Sequence, residues 1–443
     1  MGTKLMIDAR ESGADRTERA AREPPTAEPD PGHAGEGSAM SQANGAHAAG
    51  AARSHRAADA LVIGGGVIGL AIAWRAAQRG LQVIVADPDP GRGASHAAAG
   101  MLTPVAEAAY AERNLFELGS LSLSRYAAFA AELTELTGLE TGFRQTGTLQ
   151  VGYNSDDMAL LAEHALLRES FGAQTRRLTS RQCREAEPLL GPAIGGGLLV
   201  EDDASVDPRL LTTALLTAAR AAGVVHVRQA ATRLCADAGQ ASGAQLADGT
   251  VVCAPQVVLS AGWSSATLAG LPDGVVPPIR PVKGQIVRLR PTAATVAAAP
   301  SPSLLNRTVR GVVQGSPVYL VPRRDGELVV GATQEEMGGD TTVTAGGIWQ
   351  LLRDARAIVP GITELEFAEA AAGLRPGTPD NAPVIGSSEL PGLLLAAGHF
   401  RSGILLAPIT ADLIASQLAT GTMDEAAAPF SAQRFARQEV QWR

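Results

Sequence analysis

Cysteine is scarce: three occur in 443 residues, at Cys183, Cys235 and Cys253, scattered and odd in number. They show no metal-ligand spacing, so no metal site is expected, and they fit reduced thiols in a cytoplasmic protein. Long apolar runs are missing too. The richest stretch, around 210–227, is broken by Arg220 and His226 and cannot supply the roughly 18 apolar residues of a membrane span, so no integral membrane association is expected. There is no surplus of basic residues either. A formal net charge of -8 gives no footprint for nucleic acid, and an anionic membrane would repel the average surface. A small-molecule substrate fits better. What is present is 45% hydrophobic content, enough for one large core or two moderate ones in two or three domains.

Residues 1–58 are made of Ala, Gly, Glu, Arg, Pro and Ser with almost no aromatic or β-branched side chains. Such a segment cannot bury enough surface to offset chain entropy and is expected to be disordered. It lacks the apolar stretch of a secretory signal, its acidic residues argue against a transit peptide, and a dispensable extension or a true start at Met40 is the plain reading. Pattern begins at Asp59. ALVIGGGVIGLAIAWRAAQRG followed by LQVIVADPDP reads as strand, glycine turn, amphipathic helix and second strand, a βαβ unit. Helix is expected over 114–137, strand over 146–153, helix over 155–171 and 208–222, and strand again over 257–263. From Arg280 to Thr333 the alternation is that of antiparallel hairpins, with RRDGEL at 323–328 as a turn. GLLLAAGHF then runs into RSGILLAPITADLIASQL, a last strand, turn and helix.

In GGGVIG, Gly64, Gly66 and Gly69 form G-x-G-x-x-G between a strand and a helix, the arrangement that brings backbone N–H groups and a helix N-terminus against a pyrophosphate. Asp87, at the end of the second strand, stands about 20 residues on, where a carboxylate accepts ribose hydroxyls. The motif points to a dinucleotide. It does not by itself separate NAD from FAD.

Six ordered motifs go further: GGGVIG, ASHAAAGML at 94–102, RPVKGQIV at 280–287, YLVPRRDGELVVGAT at 319–333, GLRPGTPDNAPVIG at 373–386 and GHFRSGILLAP at 398–408. Together they resemble the D-amino-acid oxidase family of flavoproteins, most closely its glycine oxidase branch, from Ala60 to about Leu418. The resemblance implies FAD and an α/β fold in which a Rossmann-type FAD-binding domain (59–103, 198–263 and 370–420) is interwoven with an α+β substrate domain (104–197 and 264–369). The substrate domain would hold a mixed, largely antiparallel sheet, and 421–443 would be a tail. It places Gly64, Gly66, Val67, Ile68, Gly69, Asp87 and Pro88 at the adenosine and pyrophosphate side, with Thr232 as a further cofactor contact. Ala94, Ser95, Ala99, Gly100 and Met101 would lie along the flavin. The turn of His399, Phe400, Arg401, Ser402, Gly403, Ile404 and Leu405 would present N–H groups to the flavin pyrimidine edge, where charge gathers on reduction. His399 itself reads as a hydrogen-bonded structural residue rather than an acid or base.

The resemblance also implies that Arg375 anchors the substrate carboxylate, for which a planar guanidinium fork is well suited, and that the Tyr319 hydroxyl faces the same carboxylate. Arg401 either reaches the substrate or braces its loop. No buried base is needed, because hydride transfer draws on the substrate amine and the cofactor carries the difficult chemistry. The implied reaction is FAD-dependent oxidation of glycine and other small amines by oxygen, giving an imine, then glyoxylate, ammonia and hydrogen peroxide, with the imine in this branch able to feed thiazole formation for thiamine. Gln334, after GAT, departs from relatives with an apolar residue there and puts side-chain tolerance in doubt. No cysteine lies in the flavin motifs, which speaks against covalent flavin. Self-association is left open. Competing readings are a D-amino-acid oxidase or dehydrogenase, a sarcosine oxidase, and an interaction protein whose flavin is structural.

Overall fold

A computed structural model of the chain describes residues 55–294 and 303–436. The expectation of disorder covers 1–58, of which 1–54 lies outside the described residues. The end of that segment is ordered, because β1 (His55–Ala57) pairs in parallel with a strand at Val251–Cys253.

The central sheet has six strands in the order β19-β20-β13-β2-β3-β9. These are β2 (Ala60–Ile63), β3 (Val83–Ala86), β9 (Val225–Val227), β13 (Gln256–Leu259), β20 (Leu393–Ala397) and, antiparallel at the edge, β19 (Val384–Ser387). Every residue of β2, β3 and β20 is buried, as parallel strands covered on both faces require. On one face lie α1 (Val67–Gln78), α6 (Pro208–Ala221) and α8 (Ala407–Thr420), with α3 (Arg113–Thr137) packed over them through Tyr126, Phe129 and Leu133. The other face is covered by a smaller sheet of β1, β10 (Ala231–Asp237), β11 (Gln240–Leu246) and β12 (Val251–Cys253).

The second large sheet has eight strands in the order β18-β14-β17-β16-β15-β5-β7-β6. They are β5 (Thr148–Gly152), β6 (Arg176–Thr179), β7 (Gly196–Val200), β14 (Arg280–Arg290), β15 (Thr308–Val313), β16 (Ser316–Pro322), β17 (Leu328–Gly331) and β18 (Glu366–Gly377). All neighbours are antiparallel except β15 and β5. The period-2 alternation decides what each face meets. Val287, Leu289, Val309, Leu320, Leu328 and Val330 pack with Leu351, Ala355 and Ile358 of α7 (Ala345–Ile358). The alternate positions Ile286, Tyr319, Val321 and Val329 turn to the other side, where they meet Ala99 and Met101. Met101 and Leu102 form β4, paired with β8 (Ala204–Ser205). Two shorter helices, α4 (Ser155–Ser170) and α5 (Ser180–Ala186), pack near β5 and β7. A reciprocal cap starts α4: Asn154 accepts the Asp157 amide at 2.8 Å, and Asp157 also takes the amides of Gln314 and Gly315, tying α4 to the β15–β16 turn.

The expected α/β architecture is present, and the expected domain ranges run across its layers. Helix α3, assigned above to the substrate domain, belongs to the nucleotide core, where the Tyr126 hydroxyl donates to Ile404 O at 2.9 Å and Ser122 to Leu405 O at 2.6 Å. Strands β7 and β18, assigned above mainly to the FAD domain, belong to the eight-stranded sheet. The expected C-terminal tail is packed through Phe430, only 2% exposed, worth about 1.5–3 kcal/mol of burial. In α9 (Gln433–Ala436), Arg434 pairs with Asp380 at 2.7 Å.

Candidate functional site

The nucleotide end is built around the glycine turn. Gly64 has φ +104, and a Cβ there would stand 2.4 Å from the Ser260 carbonyl oxygen at the end of β13. A Cβ on Gly69 would come 1.9 Å from the Gly64 carbonyl, so α1 sits on the turn only because that side chain is absent. Asp87 takes the Gly65 amide at 2.6 Å and the Asp89 amide at 2.8 Å, which leaves carboxylate lone pairs for further donors. Ser95 accepts the Val67 amide at 3.1 Å, so the segment from α2 (Ala94–Ala97) onward is laid against the start of α1. Among the described residues, the N–H groups of Gly66 and Ile68 have no acceptor in the chain. Free donors at a helix N-terminus fit a diphosphate.

The segment expected to lie along a flavin is pinned from the eight-stranded sheet. Gly100 has φ +77 and lies so close to Val206 that a Cβ would meet its carbonyl at 2.0 Å. Arg323, buried, donates to Ala99 O at 2.6 Å and Val206 O at 3.0 Å, and burial lowers its pKa to about 10, leaving it charged at neutral pH. The turn at 399–406 has its Ile404 and Leu405 carbonyls taken by α3, while the N–H groups of the same two residues have no acceptor among the described residues. These donors lie just before α8, and free N–H groups at a helix start suit the electron-rich edge of a flavin. His399 is buried and bonded to Thr410 at 3.1 Å, and burial lowers its pKa to about 3, so it is neutral and holds the turn.

At the end expected to meet substrate, two side chains from strands β16 and β18 are laid over glycines. The Arg375 guanidinium, from β18, covers Gly284 of β14, where a Cβ would meet its nitrogens at 2.3–2.5 Å; the Tyr319 ring covers Gly331 of β17, with its hydroxyl 2.4 Å from where a Cβ would be. Register sets this up: Tyr319 stands opposite Gly331, and Gly284 lies two pairs along from the Val282–Arg375 pair and so on the same face. Loss of solvent raises the Tyr319 pKa, against the attraction of Arg375, so the phenol is a neutral donor at physiological pH. Arg375 also donates to Thr333 O at 3.1 Å. Thr333 is itself held, since its hydroxyl accepts the Gln285 amide at 2.8 Å and donates to Glu335 at 2.6 Å. Behind Glu335 lies Lys283, 1% exposed, paired with it at 3.2 Å and with Asp340 at 2.9 Å.

Three residues named from the sequence stand apart from this pair. Arg401 is an ion-pair partner of Glu112, the residue before α3, and among the described residues no hydrogen bond or ion pair joins it to Arg375 or Tyr319. Gln334 is exposed. Thr232 is exposed on β10 and donates to Gln245 O at 3.2 Å, just beyond β9. The sequence reading also missed residues. Arg310 of β15 stands opposite Tyr319 and pairs with Glu107 at 2.6 Å, with Nη1 3.6 Å from Met101 Sδ. A charge inside the otherwise apolar TVRGVV is the signal available for it. Arg323, Arg168 and Asp203 carry no local signal, because only the fold buries them.

Comparison with known proteins gives a consistent picture. A family model described as DAO, FAD dependent oxidoreductase, matches residues 59–417. The chain is 36% identical over 384 residues to a bifunctional protein ThiO/ThiG of Synechocystis, covering 85% of this chain and 54% of that protein, so it spans about half the length of that relative. It is 30% identical over 418 residues to a hydrogen cyanide synthase subunit HcnC of Pseudomonas aeruginosa, covering 86% of this chain and 97% of that one. The crystal structure of glycine oxidase from Geobacillus kaustophilus superposes with a TM-score of 0.77 at 33% identity, covering 86% and 99% of the two chains.

Proposed function

The chain belongs to the DAO family of FAD dependent oxidoreductases, and from that premise we propose that it oxidises glycine and other very small amines, with oxygen as acceptor. The observation that carries this reading is the Arg375–Tyr319 pair, laid over Gly284 and Gly331 on the sheet face that meets Ala99 and Met101. Gly64, Gly66, Val67, Ile68, Gly69, Asp87 and Pro88 would hold the adenosine diphosphate part of FAD. Ala94, Ser95, Ala99, Gly100, Met101 and the turn 399–405 would hold the flavin. When bound, FAD supplies a two-electron acceptor that takes a hydride from the substrate and passes the electrons to oxygen.

The chain's own residues bind and orient. Arg375 offers a planar fork to the substrate carboxylate, and its bond to Thr333 O fixes the plane of that fork. Tyr319 adds one neutral donor to the same carboxylate. With the carboxylate fixed at two points, the α-carbon is presented in one orientation rather than many, which is where positioning lowers a barrier. The apolar residues beside Tyr319 are Ala99, Met101, Ile286, Val321, Val329, Ala332 and Ala371, none of them aromatic. They favour a substrate whose own apolar part is small. Oxidation of glycine gives an imine whose hydrolysis yields glyoxylate and ammonia, with oxygen reduced to hydrogen peroxide.

Anaerobic mixing of purified yellow protein with glycine, sarcosine, D-alanine and D-phenylalanine, followed by flavin absorbance, tests the reading. Bleaching by glycine and sarcosine is expected. Bleaching by D-phenylalanine with none by glycine would leave the family intact and remove the small-amine assignment.

A further inference from the structure

Arg375 is not the only cation on the substrate face. Arg310 is the cross-strand neighbour of Tyr319 on the side away from Gly331, and its Nη1 contacts the sulfur of Met101, which packs with Tyr319. Its one ionic partner is Glu107, leaving Nε and Nη2 without a partner among the described residues. Behind this pair the polar groups are unusually unsatisfied. Thr103 Oγ1, Thr148 Oγ1, Gln150 Oε1, Nε and Nη1 of Arg168 and both carboxyl oxygens of Asp203 are buried without a hydrogen-bond partner among the described residues. They are one patch. Gln150 and Arg168 share the Ala106 carbonyl at 3.0 and 2.9 Å, Gln150 is in register with Arg310, and Gly147, beside Thr148, donates to Asp203 O at 2.9 Å.

Buried polar atoms in such number call for water or a polar ligand. The charges say which kind. Arg168 and Arg310 supply two cations, whereas Glu107 is one carboxylate, and burial raises the Asp203 pKa to about 8, so that it is mostly protonated at neutral pH. The unpaired N–H groups of Arg168 and Arg310 are cationic donors, which suit an anion.

We propose that Arg310 is a second carboxylate anchor facing Arg375, so that the chain's substrates include small amino acids with two carboxylates, such as iminodiacetate or D-aspartate. This rests on the reading of the Arg375–Tyr319 face as the substrate site. The Arg375 guanidinium lies over β14, three strand spacings from β15, which carries Arg310, so the two anchors start on the order of 14 Å apart before the Arg310 side chain leans. A short dicarboxylate with a guanidinium on each end spans about that distance. Glu107 competes for the same guanidinium and tunes the anchor.

The test separates binding from turnover. In the holoenzyme, perturbation of flavin absorbance gives dissociation constants for glutarate and for butyrate, which has one carboxylate fewer. Glutarate is expected to bind about tenfold or more tighter, the worth of one charge-assisted pair. Arg310→Met should bring that ratio close to one, Arg310→Lys should keep part of it, and Glu107→Gln should raise it by freeing the guanidinium. If Arg310→Met loses its flavin, the double variant Glu107→Gln/Arg310→Met takes its place, since no carboxylate is left unpaired. In parallel, flavin reduction is compared among glycine, sarcosine, iminodiacetate and D-aspartate, the last two distinguishing a second carboxylate on nitrogen from one on carbon. A ratio near one in the parent, or equal losses for both ligands in Arg310→Met, overturns the anchor even when glycine bleaches the flavin. A glutarate preference that depends on Arg310, with no bleaching by any amine, sustains the anchor and overturns the amine-oxidation reading.

Discussion

The nucleotide end and the substrate end of this molecule are specified in opposite ways. At the first, the turn, the helix start, Asp87 and Ser95 all lie within 60–101 and bond to one another directly. At the second, Gly284, Tyr319, Gly331 and Arg375 come from four strands and meet only because the register of β14, β16, β17 and β18 brings them to one face. A site made from one contiguous segment is welded to the fold, so damaging it damages folding. A site made by register rests on a sheet that survives the loss of a side chain, so damaging it alters rate first.

The comparison breaks most visibly at Gly69. A methyl group there meets the Gly64 carbonyl at 1.9 Å and Ser260 Oγ at 2.7 Å, and the first of these is backbone that cannot turn aside. Gly69→Ala is expected to cost more than about 3 kcal/mol and to leave purified protein with much less than one FAD per chain, read from absorbance and thermal melting. Full flavin content at the parent melting temperature would mean that the turn is softer than its geometry.

The substrate half has one stability liability of its own. Burial holds the Asp203 carboxyl up at about 8, the charges of Arg310 and Arg168 and the nearby Thr148 notwithstanding, while Glu107 adds to the rise. Its folded pKa lies above that of the unfolded chain, so between about pH 4 and 8 the unfolded state gives up a proton that the native state keeps. Stability falls as pH rises through that window, by on the order of 1 kcal/mol per pH unit, and levels off above it. Asp203→Asn, neutral in both states, should flatten melting temperature against pH over the same range. An unchanged slope would show that Asp203 is ionised in the native protein.

At the register-built site, Arg375→Ala should slow flavin reduction by glycine about 100-fold or more, because both a charge-assisted pair and orientation are lost, with FAD content kept. Arg375→Lys should recover part. Gly284→Ala is the sharper probe: its methyl group falls where the guanidinium lies, and a flexible arginine end yields more readily than backbone. The expected result is a KM raised about tenfold with near-parent melting. Tyr319→Phe loses one hydrogen bond, about 0.5–1.5 kcal/mol, a several-fold change seen in the same stopped-flow measurement. If Gly284→Ala unfolds the protein while Gly69→Ala does not, the two ends have been contrasted the wrong way round.

The same contrast explains what could be read before the fold was known. GGGVIG with Asp87 announces a nucleotide turn because strand, turn and helix are local and periodic. Helix α3 was also legible as a helix, but its layer was not: the bonds from Tyr126 to Ile404 and from Ser122 to Leu405 cross more than half the chain. Strands β7 and β18 were not read as strands: their segments entered only as parts of domain ranges, and the sheet they join is decided by partners far along the chain. Arg310, Arg323 and Asp203 matter through burial and cross-strand neighbours. Nothing in the residues beside them encodes either.

Arg401 is where the two modes of reading meet, and it carries the smallest expected effect. The sequence left it between reaching the substrate and bracing its loop; the structure pairs it with Glu112, at 26% and 14% side-chain exposure, and lays it near the Phe400 ring at 5.7 Å. A partly buried pair of this kind is worth about 1 kcal/mol or less. As a brace it joins the flavin turn to the start of α3, so Arg401→Ala and Glu112→Gln should produce matching, modest losses of stability and of glycine-driven flavin reduction. The double variant should be no worse than either single one, because both remove the same contact. An arginine that touched the substrate carboxylate would behave differently, with Arg401→Ala raising the KM for glycine sharply and Glu112→Gln leaving it alone or lowering it. The coupling energy from the double-mutant cycle, measured on melting and on KM separately, decides between the two.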